Sequence, residues 1–222
     1  MPAELTHTFN IPDYEITTDE AGFSHVVLDG FYSYGLPGDP DLPAAVTYLA
    51  LPPSVPLESV TVEINPVQQV DLPDSYQIAP VGPYLRCDDD QDGEWGPHAA
   101  SIVDGKNMEV YGRDAYFPAQ PVERVAVSQM RQWRFVQLRF WPVAYNPASG
   151  RLRLITEATV TLHYELPAVG GSLFTEPHDT FMQDRAAQMF ENFAEAQIWY
   201  DGGVTGGAAM QPGYAVSPPI KS

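Results

Sequence analysis

Between residues 5 and 166, short stretches of alternating hydrophobic and polar residues are separated by turn residues. The clearest case is the stretch 157–165, in which Ala158, Val160 and Leu162 share one face and mostly polar residues occupy the other. A period of two is typical of a β-strand with one buried face. Similar stretches, rich in β-branched and aromatic residues, predict further strands at 24–28, 46–51, 58–64, 122–128, 132–143 and 151–155.

One stretch differs from the others because it is hydrophobic in both registers. Residues 133–141 contain only three polar positions, a pattern that indicates a central strand covered on both sides. Its aromatic residues are therefore predicted to be core rather than a ligand platform: Trp133, Phe135, Phe140 and Trp141. Turn formers fill residues 146–150, and they predict a hairpin between the strands at 132–143 and 151–155.

Three segments depart from the strand pattern. Residues 81–107 contain little β signal and much Asp, Gly and Pro, and a loop of that length inside a compact domain is usually functional or disordered. Residues 178–199 carry hydrophobic side chains at near-helical spacing, which predicts one amphipathic helix. Residues 201–222 are rich in Gly, Ala and Pro, a composition typical of a linker.

These patterns predict an all-β fold, an antiparallel β-sandwich that is jelly-roll-like, with one C-terminal helix and a flexible tail. We assign the sandwich to residues 1–166, a connecting segment with the amphipathic helix to residues 167–200, and a Gly/Pro-rich linker to residues 201–222.

Composition and charge exclude several classes of function. The chain has 29 acidic and 11 basic residues and a formal charge of −18, so a phosphate backbone would be repelled and nucleic-acid binding is excluded. No apolar run is long enough for a membrane span. A single cysteine excludes an internal disulfide framework and a cysteine-based zinc site. The first residues lack a signal-peptide pattern, so we expect either an internal protein or one whose signal has been removed.

An ordered set of local motifs runs from about residue 30 to residue 166. The motifs are 38–43 (GDPDLP), 46–51 (VTYLAL), 78–80 (IAP), 110–111 (VY), 116–118 (YFP), 142–147 (PVAYNP) and 150–153 (GRLR). In order and spacing, this set resembles the N-terminal prodomain of gingipain-type, caspase-like cysteine proteases. The predicted helix resembles the segment that joins such a prodomain to its protease.

The resemblance implies a β-sandwich that inhibits the catalytic domain of the same precursor and assists its folding. The partner would be this cognate caspase-like cysteine protease domain, and the location would be secreted or cell-surface, with the signal peptide removed. The resemblance also implies a non-catalytic chain. Consistent with this, Cys87 has no His-Gly partner motif with which to form a nucleophilic site.

In the family, an inhibitory loop follows the Ile-x-Pro motif and presents a basic residue to the primary pocket of the protease. Here Arg86 follows Pro80 by six residues, so the resemblance implies an inhibitory loop at Leu85, Arg86 and Cys87. A guanidinium suits this role because it can bind a pocket carboxylate with two hydrogen bonds. The alternatives are that Arg86 is an ordinary surface arginine, or that Arg113 is the inhibitory residue.

Next along the chain comes an acidic stretch that matches the pattern D-x-D-x-D-G. Oxygen ligands at alternating positions followed by glycine are typical of a calcium loop, so we consider a site made by Asp88, Asp90, Asp92 and Glu94. The twelfth position of an EF-hand loop requires Glu, and this chain has Ala99 there. A solvated acidic loop is therefore the alternative. No other cofactor is implied.

The sequence allows more than one processing site and more than one function. Candidate processing sites are Arg185 and Lys221, which leave the partner's specificity undecided between Arg and Lys. The alternative function is a stand-alone β-sandwich adhesion or carbohydrate-binding module, in which the acidic loop would bind calcium and an exposed aromatic platform would bind the glycan.

Overall fold

The computed structural model describes residues 2–65, 67–84, 94–166 and 180–201. The strands in these ranges are β1 (Pro2–Phe9), β2 (Tyr14–Thr18), β3 (Ser24–Leu28), β4 (Tyr32–Ser33), β5 (Pro43–Leu51), β6 (Thr61–Ile64), β7 (Gln68–Asp71), β8 (Ile102–Val103), β9 (Lys106–Asn107), β10 (Val122–Met130), β11 (Trp133–Phe140), β12 (Val143–Asn146) and β13 (Arg151–Glu165). The helices are α1 (Met108–Tyr111), α2 (Thr180–Met189) and α3 (Phe193–Asp201), with 3-10 turns at Leu57–Ser59 and Gly96–Ser101.

Most of the strands belong to two antiparallel sheets. The first sheet is built around β13, which pairs with β12 and β7 in its first half and with β1 and β6 in its second half. The second sheet has the order β10-β11-β5-β4. Two short ribbons, β2-β3 and β8-β9, accompany these sheets. The predicted antiparallel β architecture is confirmed, and among the described strands no closed barrel forms.

The main hydrophobic core lies between the two sheets. Buried side chains of β11, including Val136, Leu138 and Phe140, meet Val160 and Leu162 of β13 there. A second cluster lies beside β12 and the start of β13, and a third lies between the second sheet and the helices. The sandwich therefore has a shared core and a smaller core on each side, which explains why β11 is hydrophobic in both registers.

A bulge in β13 changes which of its side chains face the main core. Leu152 and Leu154 belong to the second cluster, whereas Ile155 belongs to the main core. The pairing with β7 shifts between Ile155 and Glu157, and beyond this shift the even-numbered Ala158 faces the main core. A bulge reverses the parity of a strand, so one 15-residue strand serves two cores.

The predicted hairpin has the right turn but a different first strand. The turn is confirmed, since Gly150 N donates to Asn146 O over 2.8 Å and Gly150 has a φ of +70°. However, β13 pairs with β12, and the two neighbours of β11 are β10 and β5. The predicted strand 132–143 is interrupted because Pro142 has no N–H to continue the ladder, and the chain crosses there to the other sheet.

The single predicted C-terminal helix is two helices in the structure. Residues 190–192 separate α2 from α3. Phe190 N still donates to Ala186 O, but Glu191 N donates to Tyr48 O of β5 and the Asn192 side chain bonds to Ala50 of β5. Both helices pack on the outer face of the second sheet around Trp133 and Phe135. Among the described helices, none combines the length and the apolar character that a membrane crossing needs.

Candidate functional site

The two residues that flank the predicted inhibitory loop, Tyr84 and Glu94, are hydrogen-bonded to each other. Tyr84 N donates to Glu94 O over 2.9 Å, and Glu94 N donates to Tyr84 O over 3.0 Å. In an antiparallel pair, two such bonds place the Cα atoms of Tyr84 and Glu94 about 5.5 Å apart. The predicted residues Leu85, Arg86, Cys87, Asp88, Asp90 and Asp92 lie outside the described residues.

The chain that leads into this loop is held along its length. Val81 O accepts from Gly38 N and Val81 N donates to Asp39 O, each over 2.8 Å, and Asp41 N donates to Ala79 O over 2.8 Å. The 38–43 and 78–80 motifs of the sequence therefore lie side by side. Three consecutive hydrogen bonds of this kind fix the direction in which the chain reaches Tyr84.

A buried polar pair lies beneath this contact. Asp39 is 5% exposed and Asn107 is 2% exposed, and Asn107 Nδ2 donates to Asp39 Oδ1 over 2.8 Å. The Asn107 amide oxygen accepts from Ser101 Oγ over 2.9 Å and from Glu109 N over 3.0 Å. Since each of these polar groups is satisfied, the pair ties the strand-like segment at 38–41 to residues 101–109 without leaving a buried group unpaired.

Glycine is required at position 38 by two observations. Gly38 has a φ of +89°, a region that L side chains rarely adopt. A Cβ there would clash with Ile102 and would lie 3.1 Å from Asn107 N. Asn107 N also donates to Gly38 O over 2.8 Å, so the two backbones approach too closely for a side chain.

We call the Tyr84–Glu94 pair and the segments that hold it the loop base. The second of these segments is residues 94–111, which form a 3-10 turn, the β8-β9 ribbon and α1. A Cβ on Gly96 would lie 3.2 Å from the ring of Tyr84, so the ring covers this glycine. The Tyr111 hydroxyl donates to Ile78 O over 3.1 Å, and burial raises the pKa of Tyr111 well above its ordinary value. A neutral tyrosine therefore joins this segment to the Ile-x-Pro motif at every physiological pH.

The alternative inhibitory residue, Arg113, is described and exposed. It follows α1, and its N–H donates to Val110 O over 3.2 Å at the end of that helix. Among the four predicted calcium ligands, Glu94 alone is described, and it is exposed. Within the described ranges, no three acidic, histidine or cysteine side chains are grouped as a metal site would require.

The two candidate processing sites differ in how far the structure describes them. Lys221 lies outside the described residues. Arg185 is exposed on α2, but the next residue, Ala186, is fully buried against the second sheet. The peptide bond between them is therefore part of a docked helix.

A cleft of about 480 Å³ lies next to Asp39 and Pro40. Tyr34 and Leu36 form part of its wall, Trp141 and Arg139 line it, and Asp39 reaches it from the buried pair. The Arg139 guanidinium lies 5.6 Å from the Tyr34 ring centroid and 5.4 Å from the Trp141 ring centroid. The four aromatic residues predicted to be core, Trp133, Phe135, Phe140 and Trp141, are all buried.

The sequence interpretation missed two structural features. The first is the Asp39–Asn107 pair, whose members are 68 residues apart. A Gly-Asp dipeptide beside a proline indicates a turn, but nothing in the sequence identifies the partner of the aspartate. The second is Asn192, which interrupts the apolar pattern of the predicted helix and was a signal that the helix breaks there.

The sequence matches a known protein family, and the fold is similar to that of solved structures. The Propeptide_C25 family matches residues 7–198, a range that spans both sheets and both C-terminal helices. A structure of the complex of the pro- and mature domains of RgpB from Porphyromonas gingivalis is similar, with a TM-score of 0.62, 20% identity, and coverage of 86% of this chain and 93% of that chain.

A second structure, which concerns the zymogenic latency of gingipain K from Porphyromonas gingivalis, is also similar. It has a TM-score of 0.54 and 19% identity, and the match covers 74% of this chain and 88% of that chain. At these identities the likeness is one of fold. No curated protein sequence matches at a significant level.

Proposed function

Because this chain belongs to the Propeptide_C25 family, we propose that it is the inhibitory and folding-assisting prodomain of a secreted, gingipain-type cysteine protease. The observation that carries the proposal is the family match over residues 7–198, which includes the sandwich, the loop base and the helices. The likeness of its fold to the two gingipain structures supports it. The partner is the caspase-like protease domain of the same precursor, and the chain itself is not a catalyst.

The proposed inhibitory element is the loop at residues 85–93, with Arg86 entering the primary specificity pocket. A guanidinium can form a bidentate, charge-assisted pair with a pocket carboxylate. The paired ends at Tyr84 and Glu94 support this role, because a loop that is closed at its base loses less entropy on docking than a free segment does. A cut inside the loop would leave both new ends attached to the domain, which favours rejoining over release.

The charge of the chain supports the choice of partner. A formal charge of −18 suits a protease with a basic docking face, and it would accelerate association at low ionic strength. A prodomain that binds only the native protease also stabilises it by mass action, which is how it assists folding.

Calcium is a second part of the proposal. Asp88, Asp90, Asp92 and Glu94 supply carboxylates at alternating positions, which is the ligand type that calcium prefers. Glu94 belongs to the pair that closes the loop, so an ion bound there would stiffen the segment that carries Arg86. The expected consequence is tighter inhibition in the presence of calcium.

The experiment is an inhibition assay of the cognate protease domain with this chain and its variants, with and without calcium. We expect potent inhibition that falls by at least about 100-fold for Arg86→Ala, since removing a buried charge-assisted pair costs several kcal/mol. Arg86→Lys should retain part of the potency if the pocket recognises charge. The matched control is Arg113→Ala, which should inhibit like the wild type.

Other outcomes would change the proposal in defined ways. Loss of inhibition in Arg113→Ala instead of Arg86→Ala would move the inhibitory residue. Equal potency in both variants would remove the pocket-filling mechanism but keep the prodomain role. No inhibition and no binding by the wild type would overturn the proposed function.

A further inference from the structure

The outer face of the second sheet is covered by the C-terminal helices. Trp133 of β11 is 1% exposed, and its ring centroid lies 5.6 Å from that of Phe190, 5.5 Å from that of Phe193 and 4.1 Å from that of Tyr200. Ala186 and Ala196 are fully buried in the same cluster. The helices therefore bury a set of large aromatic side chains against the sheet, which a simple connecting segment does not need.

Hydrogen bonds join the same helices to the edge of β5. Ala50 N donates to Asn192 Oδ1 over 2.8 Å, and Asn192 Nδ2 donates to Ala50 O over 3.0 Å. Glu191 N donates to Tyr48 O over 3.1 Å. The Asn192 side chain thus pairs with both polar groups of Ala50, as a neighbouring strand would.

The hydroxyl of Tyr200 makes a further connection near the end of α3. It accepts from Arg134 N over 3.0 Å and donates to Leu51 O over 2.8 Å, and burial raises the pKa of Tyr200 to about 12. One side chain therefore bridges β11 and β5. Residues 190–200 contact the sheet by apolar packing on its face and by hydrogen bonds at its edge.

We propose that this face and edge form a docking surface for residues 186–201. While these residues are docked, Arg-specific endopeptidases cannot cleave the Arg185–Ala186 peptide bond. Hydrolysis adds water across that bond and produces a carboxylate on Arg185 and an amine on Ala186, with the nucleophile supplied by the endopeptidase. Ala186 is fully buried in α2, so a protease can bind this bond only after the helix leaves the sheet. The cutting rate then follows the population of the undocked state.

The position of the bond has a second consequence. Phe190, Asn192 and Tyr200, which hold the helices to Trp133 and to the edge of β5, follow Arg185 in the chain. After a cut at Arg185, residues 186–201 therefore stay docked without a covalent link. If the chain is a prodomain, as proposed above, whatever follows residue 201 would remain tethered to the sandwich after that cut.

Limited digestion of the full chain by an Arg-specific serine endopeptidase tests the proposal. Initial cutting rates at Arg185 and Arg113 are measured by mass spectrometry for the wild type, Asn192→Ala and Tyr200→Phe. We expect each variant to raise the rate at Arg185 about tenfold, because buried backbone groups lose their partners and the undocked state gains population. The rate at Arg113 should not change, and the 186–222 fragment of the cut wild type should co-elute with the sandwich in size-exclusion chromatography.

The matched control is Asn65→Ala, which removes a side-chain hydrogen bond to Thr161 in the first sheet and should leave the rate at Arg185 as in the wild type. Unchanged rates at Arg185 in both helix variants would overturn the proposal. So would a parallel rise at Arg113, which reports unfolding of the whole domain. The assay contains no cognate protease, so its result is independent of whether the chain inhibits one.

Discussion

Two regions of this molecule attach chain segments to the sandwich, and they do so by different physical means. The base of the 85–93 loop is held by a buried polar pair, Asp39 and Asn107, and by backbone hydrogen bonds. The C-terminal helices are held mainly by an aromatic cluster around Trp133, with Asn192 bonded to the strand edge.

The difference matters because hydrogen bonds are directional and apolar contacts are not. A buried polar network with every group satisfied has essentially one arrangement, so it holds the chain on either side of residues 85–93 in a fixed position. Apolar contacts contribute free energy in proportion to the area that they bury. A segment that is held mainly by such contacts can detach from the sheet as one cooperative unit. We therefore expect substitutions in the two regions to destabilise different parts of the molecule.

The largest expected effect is at the apolar region. Trp133→Ala should lower the free energy of unfolding by about 3–5 kcal/mol, because it leaves a cavity among Phe190, Phe193 and Tyr200. Hydrogen exchange should show loss of protection in α2 and α3 before any loss at the loop base. Tyr32→Ala, at a position that is 67% exposed, is the control and should change stability by less than about 0.5 kcal/mol. Simultaneous loss of protection in both regions would contradict the separation.

The next effect is at the polar region. Asn107→Ala should cost about 2–3 kcal/mol, since it leaves the buried Asp39 carboxylate without its donor. Hydrogen exchange should accelerate at Tyr84 and Glu94 while the helices keep their protection, and any inhibition of a partner protease should weaken. Ser101→Ala, which removes one donor to the Asn107 amide oxygen, should act in the same direction with a smaller effect. Faster exchange in α3 would show that the two regions are coupled.

The smallest effect concerns pH and the helix attachment. Burial lowers the pKa of His7 on β1 below 6.5, and the nearby carboxylates of Glu191 and Glu195 partly oppose this shift. A histidine whose folded-state pKa is lowered contributes stability above pH 6.5, and this contribution is lost as the pH falls through 6.5 toward the folded-state pKa. His7→Gln should remove this part of the decline in Tm. A ring titration by NMR in Glu195→Gln should give a still lower pKa, and an unchanged or raised pKa would refute the assignment.

Much of the β architecture could be predicted from local patterns. The alternation in β13, the two-sided hydrophobicity of β11 and the turn at residues 146–150 each predicted what the structure contains. The errors are at places where two elements compete for the same backbone groups. The strand β11 ends before Pro142, so β12 is the strand that forms the hairpin with β13. Glu191 N bonds to Tyr48 O at the edge of β5, and the predicted single helix is interrupted there.

The candidate site was less predictable than the fold. Family register points to Arg86, and a ligand pattern points to the acidic positions. Tyr84 and Glu94 pair through backbone groups, which leave no mark on side-chain composition, so the sequence does not indicate this pair. Glu94 was considered only as a calcium ligand, although its backbone closes the loop.

The sequence by itself determined the β content, the faces of the strongest strands and the family to which the chain is similar, because periodicity and turn chemistry are local properties. Only the tertiary structure decided that Asp39 pairs with Asn107, that Asn192 completes the edge of β5 and that Ala186 is buried. These features join residues that are far apart in the chain. Their free energies depend on which surfaces meet, and no single segment of the sequence contains that information.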